Sequence, residues 1–116
     1  MSGEYRVLDC GGSIIASCRL QSRDPDFWPD ADAEGSRYLH RLVVARAHAG
    51  QGLALRLIDA AASEALQAGC KWLRLDCAAD RQPLHRLYAC AGFTLRDERT
   101  CLRWHVARFE LALPSN

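Results

Sequence analysis

Two glycines just before a predicted helix could together bind a phosphate group. Gly50 and Gly52 follow an apolar run and precede a stretch with helical periodicity. Glycine allows the chain to turn tightly from a strand into a helix. The first turn of a helix carries unpaired N–H groups at the positive end of its dipole, and such a terminus binds a pyrophosphate mainly through the backbone. From the glycines alone, a tight turn without a ligand is an equally good interpretation.

Two other nucleotide-binding patterns do not match this turn. The spacing differs from the G-x-G-x-x-G of a dinucleotide-binding fold, and no Gly-Lys-Ser/Thr follows as in a Walker loop. Ala54, the next small residue, leaves the start of the helix open to a close approach. A phosphate site here would therefore depend on backbone N–H groups more than on a lysine.

Three side chains could move protons near such a site. Tyr88 lies on the apolar stripe of a second predicted helix, so from its position alone a core tyrosine is the commoner interpretation. His40 lies on the strand that leads to the glycines, and histidine is the side chain that ordinarily titrates near neutrality. A core or interface histidine is an equally good interpretation. Asp76, on the next strand, could accept a proton or form a structural ion pair.

Strands and helices alternate along the part of the chain that must position these residues. Gly11 and Gly12 separate two extended runs and predict a hairpin, because tight hairpin turns need positive φ. In the Asp- and Pro-rich loop that follows, Phe27 and Trp28 are expected to contact the core. The predicted elements are strands Tyr5–Leu8 and Ser13–Leu20, loop Gln21–Ser36, strand Tyr38–Val44, helix Gly52–Ala68, strand Cys70–Cys77, helix Gln82–Ala91, and strands Phe93–Leu95 and Leu102–Leu113 separated by a polar bend at Arg96–Thr100.

This order of elements predicts an α+β fold in one domain over residues 1–116. The middle strand–helix–strand unit should be parallel and right-handed. The hairpin and the C-terminal pair of strands should be antiparallel. The result would be a mixed, mostly antiparallel sheet with a central parallel unit.

The composition is that of an ordinary globular domain. Apolar residues make up 49% and charged residues 25% of the chain, and the net charge of +1 gives no support to nucleic-acid binding. No apolar run approaches the roughly 18 residues that a membrane span needs, and the N-terminus lacks the pattern of a secretion signal. We therefore expect a cytoplasmic protein without a membrane or nucleic-acid partner.

The six cysteines have no spacing that indicates a metal site. There is no C-x-x-C pair, and no histidine stands at zinc-finger spacing. We expect no bound metal. The cysteines are predicted to be reduced and mostly buried.

Two motifs in this order resemble those of the GNAT-type N-acetyltransferases. The acetyl-CoA motif of that family, Q/R-x-x-G-x-G/A, corresponds to Ala49–Ala54: the G-x-A half matches, and Ala49 replaces the leading Arg or Gln. The second motif, a Tyr four residues before a Gly-Phe pair, corresponds to Tyr88 in LYACAGF. Arg81 stands where that helix often begins with Asn. The resemblance is strong over Tyr38–Phe93 and looser elsewhere.

The resemblance implies transfer of an acetyl group from acetyl-CoA, as cosubstrate, to a primary amine of a small molecule or a protein. Tyr88 would protonate the leaving thiolate, since a phenol with an ordinary pKa of about 10 suits that task. His40 is the candidate base, because the strand lacks the Glu that the family often uses. The residues implied in acetyl-CoA binding are Leu42, Val43 and Val44 along the pantetheine, Ala49, Gly50, Gln51, Gly52, Leu53 and Ala54 at the pyrophosphate, and Arg81, with Arg46 or Arg56, as nearby positive charge.

The N-terminal part is shorter than the family pattern. About 37 residues precede the motif strand, whereas the family usually begins with a strand and one or two helices that form one wall of the acceptor cleft. Either the chain is a truncated form, or a second subunit of a homodimer supplies the wall, or the cleft is open. The alternative function is a CoA-binding or scaffold domain with little or no catalysis, which the short N-terminus and Ala49 favour.

Overall fold

Six strands and two helices form a single layered structure in this computed structural model, which describes residues 4–30 and 35–114. The sheet has the order β1-β2-β3-β4-β6-β5, and only β3 and β4 are parallel. This arrangement confirms the predicted mixed, mostly antiparallel α+β fold. The elements are β1 (Tyr5–Cys10), β2 (Ser13–Gln21), β3 (Ser36–Val44), α1 (Leu53–Gln67), β4 (Trp72–Ala78), α2 (Gln82–Cys90), β5 (Thr94–Cys101) and β6 (Trp104–Ala112).

The β1–β2 hairpin forms at the predicted glycines. Cys10 pairs with Ser13, so the turn consists of Gly11 and Gly12 alone. Both have positive φ, 61° and 88°, as a two-residue turn that matches the strand twist requires.

One face of the sheet is apolar because α1 covers it. Leu57, Ile58 and Ala61 on α1 are almost fully buried and belong to the same core as Leu73 and Leu75 of β4. Alternation along β4 places Leu73, Leu75 and Cys77 on this face, as the sequence predicted. The tyrosine of α2 joins the same core, so both helices support this side of the sheet.

The opposite face is covered by the loop between β2 and β3. Trp28 in this loop is 2% exposed, and its ring lies 4.5 Å from the Arg108 guanidinium and 5.1 Å from that of Arg74. Arg108 donates hydrogen bonds to Asp30, to Asp97 and to the Phe27 carbonyl. The predicted anchoring of the loop by Trp28 is therefore confirmed, and a buried arginine completes it. Residues 31–34 of the predicted loop lie outside the described residues.

The predicted polar bend near the C-terminus is wrong. Arg96–Thr100 lies inside β5, and the chain reverses at Leu102 and Arg103, where Leu102 has φ 57°. β5 is one of the two edge strands and pairs only with β6 among the described strands, so most of its side chains are exposed. An edge strand with polar residues on both faces carries no alternation of apolar residues, and sequence patterning misses it.

The cysteines are unpaired and mostly buried, as the sequence predicted. All six cysteines are free, and four of them, Cys18, Cys70, Cys77 and Cys101, are buried. Neither described helix combines the length and apolar content that a membrane crossing requires.

Candidate active site

A gap opens in the middle of the sheet because β3 and β4 separate. Their pairing consists of Ser36 with Trp72, Arg37 with Leu73, and Tyr38 with Arg74. Beyond Tyr38 no further pair forms in the described structure, although β3 continues to Val44 and β4 to Ala78. The cause lies in β3, where Arg41 has φ 53° and the pairing with β2 shifts register.

The separated part of β3 offers backbone groups to this gap. The Ala45 N–H donates to the Ile15 carbonyl on the β2 side at 2.8 Å. Because successive residues of a strand direct their N–H groups to opposite sides, the backbone N–H and C=O of Val44 point away from β2 and into the gap. Val43 lies opposite Ser17, so by the same alternation its backbone groups are directed to β2. Leu42 precedes it at the bulge and is half-buried.

The glycine turn lies at the end of β3, after a short 3-10 turn at Arg46–His48. Gly50 and Gly52 have φ 80° and 75°, and Gly52 caps the N-terminus of α1. A Cβ at either glycine would meet no atom within 4 Å, so backbone conformation, not lack of space, requires glycine there.

The N-terminus of α1 is free to bind an anion. The Arg56 N–H donates to the Gly52 carbonyl at 3.1 Å, and the N–H groups of Leu53 and Ala54, which come before it, have no partner in the helix. No acidic side chain lies in this first turn. Leu53 is buried and fixes the start of the helix, whereas Ala49 and Gln51 are exposed.

Tyr88 is buried on α2 and packs on aromatic rings. It is 6% exposed, and its ring centre lies 5.9 Å from that of Phe93 and 5.7 Å from that of Phe109. Burial, with smaller contributions from the charges of Cys77 and Asp76, raises the pKa of Tyr88 to about 12. The phenol is therefore protonated at neutral pH, but it is a weaker acid than its ordinary pKa predicted.

The Arg81 guanidinium opposes this effect from the start of α2. Arg81 caps the N-terminus of α2 and is exposed, and its positive charge lowers the pKa of both Tyr88 and Cys77. Burial still dominates at Cys77, whose pKa rises to about 11. The predicted positive charge of Arg81 thus acts at the carboxyl end of β4, beside the gap.

His40 and Asp76 come together on the other face of the sheet, with an aspartate that sequence reasoning missed. His40 Nε2 lies 3.1 Å from Asp24 Oδ2, although the two atoms do not have hydrogen-bond geometry. One ligand atom from each of Asp24, His40 and Asp76 lies within 4.8 Å of the others. Burial raises the pKa of Asp76 to about 6, an effect that Asp24 increases and His40 and Arg108 reduce. Asp24 is one of several aspartates in an aperiodic loop, and nothing in its sequence context distinguishes it.

The gap therefore has different chemistry on its two faces. Tyr88 lies on the face that carries the helices, and His40, Asp76 and Asp24 lie on the face that carries the loop. Successive residues Asp76 and Cys77 point to opposite faces, since a strand alternates its side chains.

Residues 2–93 match the family model of the acetyltransferase (GNAT) family. The chain belongs to this family. Over 70 residues it is 41% identical to the uncharacterized N-acetyltransferase YesJ of Bacillus subtilis. That alignment covers 60% of this chain and 39% of YesJ, so the chain spans well under half the length of this relative.

Solved GNAT structures share the fold over nearly the whole chain. A GNAT family acetyltransferase from Elizabethkingia anophelis with acetyl-CoA bound superposes with a TM-score of 0.79 at 17% identity, covering 97% of this chain and 77% of that one. A GNAT family acetyltransferase from Listeria monocytogenes gives 0.76 at 24% identity, covering 94% and 65%. At these identities the likeness establishes the fold.

Proposed function

We propose that this chain transfers the acetyl group of acetyl-CoA to a primary amine of a small molecule or a protein. The observation that carries the proposal is the gap between β3 and β4, which leads from the glycine turn to Tyr88 on one face and His40 on the other. The family, the acetyl-CoA in the Elizabethkingia structure and the name of YesJ support the same reaction.

The residues around the gap fit the shape and charge of acetyl-CoA. Val44 can bond the pantetheine through its outward backbone groups, as an added strand would, and Leu42 adds half-buried apolar surface. The turn Ala49–Ala54 would hold the pyrophosphate on the N–H groups at the start of α1. Arg81 would add positive charge from the start of α2.

The acetyl group arrives as a thioester, and a C–N bond to the amine forms while the C–S bond breaks. His40 would accept the proton that the ammonium must lose before the nitrogen can attack. Tyr88 would donate its proton toward the sulfur as the thiolate leaves, and the second proton of the amine would restore the phenol. The products are an amide, a free thiol and one proton released to solvent. Since Tyr88 is a weak acid, the two transfers at the phenol must be coupled.

Acetyl-CoA binding and thiol release together test this proposal. Acetyl-CoA should raise the thermal midpoint of unfolding, because a ligand that binds only the native state stabilises it. Free thiol should then appear from acetyl-CoA only when an amine from a panel of primary amines is present. Stabilisation without amine-dependent thiol release would instead support the alternative of a CoA-binding domain with little or no catalysis. Absence of both effects would refute the family-based assignment of the ligand.

The expected assembly stays a prediction. A homodimer whose partner supplies the acceptor wall, the absence of a nucleic-acid partner and a cytoplasmic location all follow from sequence arguments alone. Sedimentation at several protein concentrations would decide the first of these.

A further inference from the structure

Asp24 is a buried carboxylate without the hydrogen bonds that burial normally requires. Its side chain is only 9% exposed, and its Oδ2 has no hydrogen-bond partner within the described residues. Its other oxygen accepts from the Phe27 N–H at 3.4 Å, a long bond. A buried polar atom that makes no hydrogen bond costs about 1–3 kcal/mol, so such atoms usually face a ligand or water.

The two neighbours of Asp24 are in the same condition. His40 Nε2 and Asp76 Oδ1 are buried and also lack a partner in the described structure. These three residues therefore bring acceptor atoms close together. Asp24 and Asp76 each offer a carboxylate oxygen, and the neutral ring of His40 can offer a nitrogen. A cavity of about 410 Å³ on the loop side is lined by Asp24, His40 and Phe27 among others, and a second one of about 210 Å³ is lined by Asp76 and again by Phe27.

An alkylammonium group matches this arrangement in number, charge and size. It has three N–H donors, and three acceptors arranged around it at about 2.8 Å would lie about 4.6 Å from one another. Here one ligand atom from each of the three residues lies no more than 4.8 Å from the other two. The distance of 3.1 Å between His40 and Asp24 is shorter, so an ammonium would have to separate that pair by about 1.5 Å.

The arginines that line the larger cavity do not pair with Asp24 in the described structure. Arg19 pairs with Glu4 at 2.7 Å, and Arg23 and Arg41 are exposed. Neither Arg23 nor Arg41 has an ion pair with Asp24 within the described residues. Among these basic side chains and His40, only His40 Nε2, at 3.1 Å, therefore lies close to the Asp24 carboxylate.

We propose that Asp24, His40 and Asp76 form the acceptor site and bind the amine as its alkylammonium ion on the face of the sheet opposite Tyr88. This inference rests on the proposed function and names the chemistry of the acceptor. The carboxylates would hold the cation, and His40 would take the proton as the nitrogen turns to the thioester in the gap. Asp24 is then a substrate-binding residue contributed by the loop, and Arg108 and Trp28 position it.

Proton NMR of the histidine rings with a simple amine tests the site without any acetyl-CoA. n-Butylammonium should shift the ring signals of His40 in a saturable manner, whereas n-butanol, which has the same chain without the charge, should not. Asp24→Asn should weaken this binding about 10-fold or more, as expected for loss of a charge-assisted hydrogen bond. Asp26→Asn, an exposed neighbour that lines the same cavity, is the matched control and should bind normally.

Four results would overturn the inference. These are equal shifts with butylammonium and butanol, no shift with butylammonium, unchanged binding in Asp24→Asn, and displacement of butylammonium by a stoichiometric amount of ZnCl₂, which would make the cluster a metal site. Asp76→Asn provides a second variant if Asp24→Asn does not fold, and the same loss is expected. Failure of acetyl-CoA to stabilise the protein would refute the proposed function alone, because these titrations contain no acetyl-CoA.

Discussion

Replacing Asp76 with Asn should stabilise the protein at neutral pH. Burial raises the pKa of this carboxyl from 3.8 to about 6, so the folded protein favours the neutral form. At 1.36 kcal/mol per pKa unit, a rise of about two units means that ionised Asp76 costs the native state up to about 3 kcal/mol above pH 6. Asn has the same shape and no charge, and it should recover part of this cost.

The pH dependence makes the prediction specific. Below about pH 4 the carboxyl is protonated in both the folded and the unfolded protein, and the variant should gain little there. Between about pH 4 and 6 the folded state binds more protons at Asp76 than the unfolded state does, so stability of the parent falls as pH rises. The difference between parent and variant should therefore grow through this window and stay constant above it.

Urea unfolding at several pH values between about 3.5 and 8 measures this difference directly. Asp59→Asn removes an exposed carboxylate from α1 and is the control, with little change expected at any pH. A gain in the free energy of unfolding that has the same size at every pH would refute the reasoning, because it could not come from ionisation of Asp76. The stabilised variant should also lose amine binding, because it lacks the buried negative charge that the ammonium ion would neutralise.

Three further variants test other parts of the molecule. Tyr88→Phe should lower turnover by at least about 10-fold while acetyl-CoA affinity, measured by calorimetry, stays the same; equal turnover would remove the phenol from the reaction. Gly52→Ala should cost about 1 kcal/mol of stability and weaken acetyl-CoA binding. The control is Gly69→Ala, with φ 82° at the far end of α1, which should show only the loss of stability. Equal acetyl-CoA affinities in the two variants would argue against the turn as the pyrophosphate site. Arg108→Lys should lower the free energy of unfolding, measured in urea, by about 2 kcal/mol or more, because one ammonium cannot replace the forked contacts to Asp97 and Asp30. An unchanged urea midpoint would show that these contacts make no net contribution to stability.

Local patterns in the sequence were enough to predict most of the fold. α1 was predicted over Gly52–Ala68 and lies at Leu53–Gln67 with these two residues as its caps, because its apolar face and the glycine that follows are both local signals. The hairpin turn at Gly11 and Gly12 follows from a conformational requirement that glycine alone meets easily. The strand predicted over Phe93–Leu95 is much shorter than β5, because the sequence of an exposed edge strand has no apolar alternation.

Only the part of the candidate site that belongs to short sequence motifs could be predicted from the sequence. The glycine turn and Tyr88 each belong to a short motif, so the sequence indicates them. The gap itself depends on the positive φ of Arg41, a residue that rarely adopts it, and nothing in the sequence marks that position. Asp24 reaches His40 because Trp28 and Arg108 hold the loop across the sheet, and contacts between distant segments leave no periodic signal.

The alternation of side chains along β4 has a consequence for how this protein can change. Cys77 and its neighbours on one face meet the helices, while Asp76 lies on the other face, which the loop covers. If the proposed function holds, substitutions that alter which amine is accepted can therefore accumulate in the loop and at alternate strand positions without disturbing the residues next to the helices. For a designer, this separates a library for new acceptors, built around residues 23–27 and 40–41, from the part of the chain that should be left untouched.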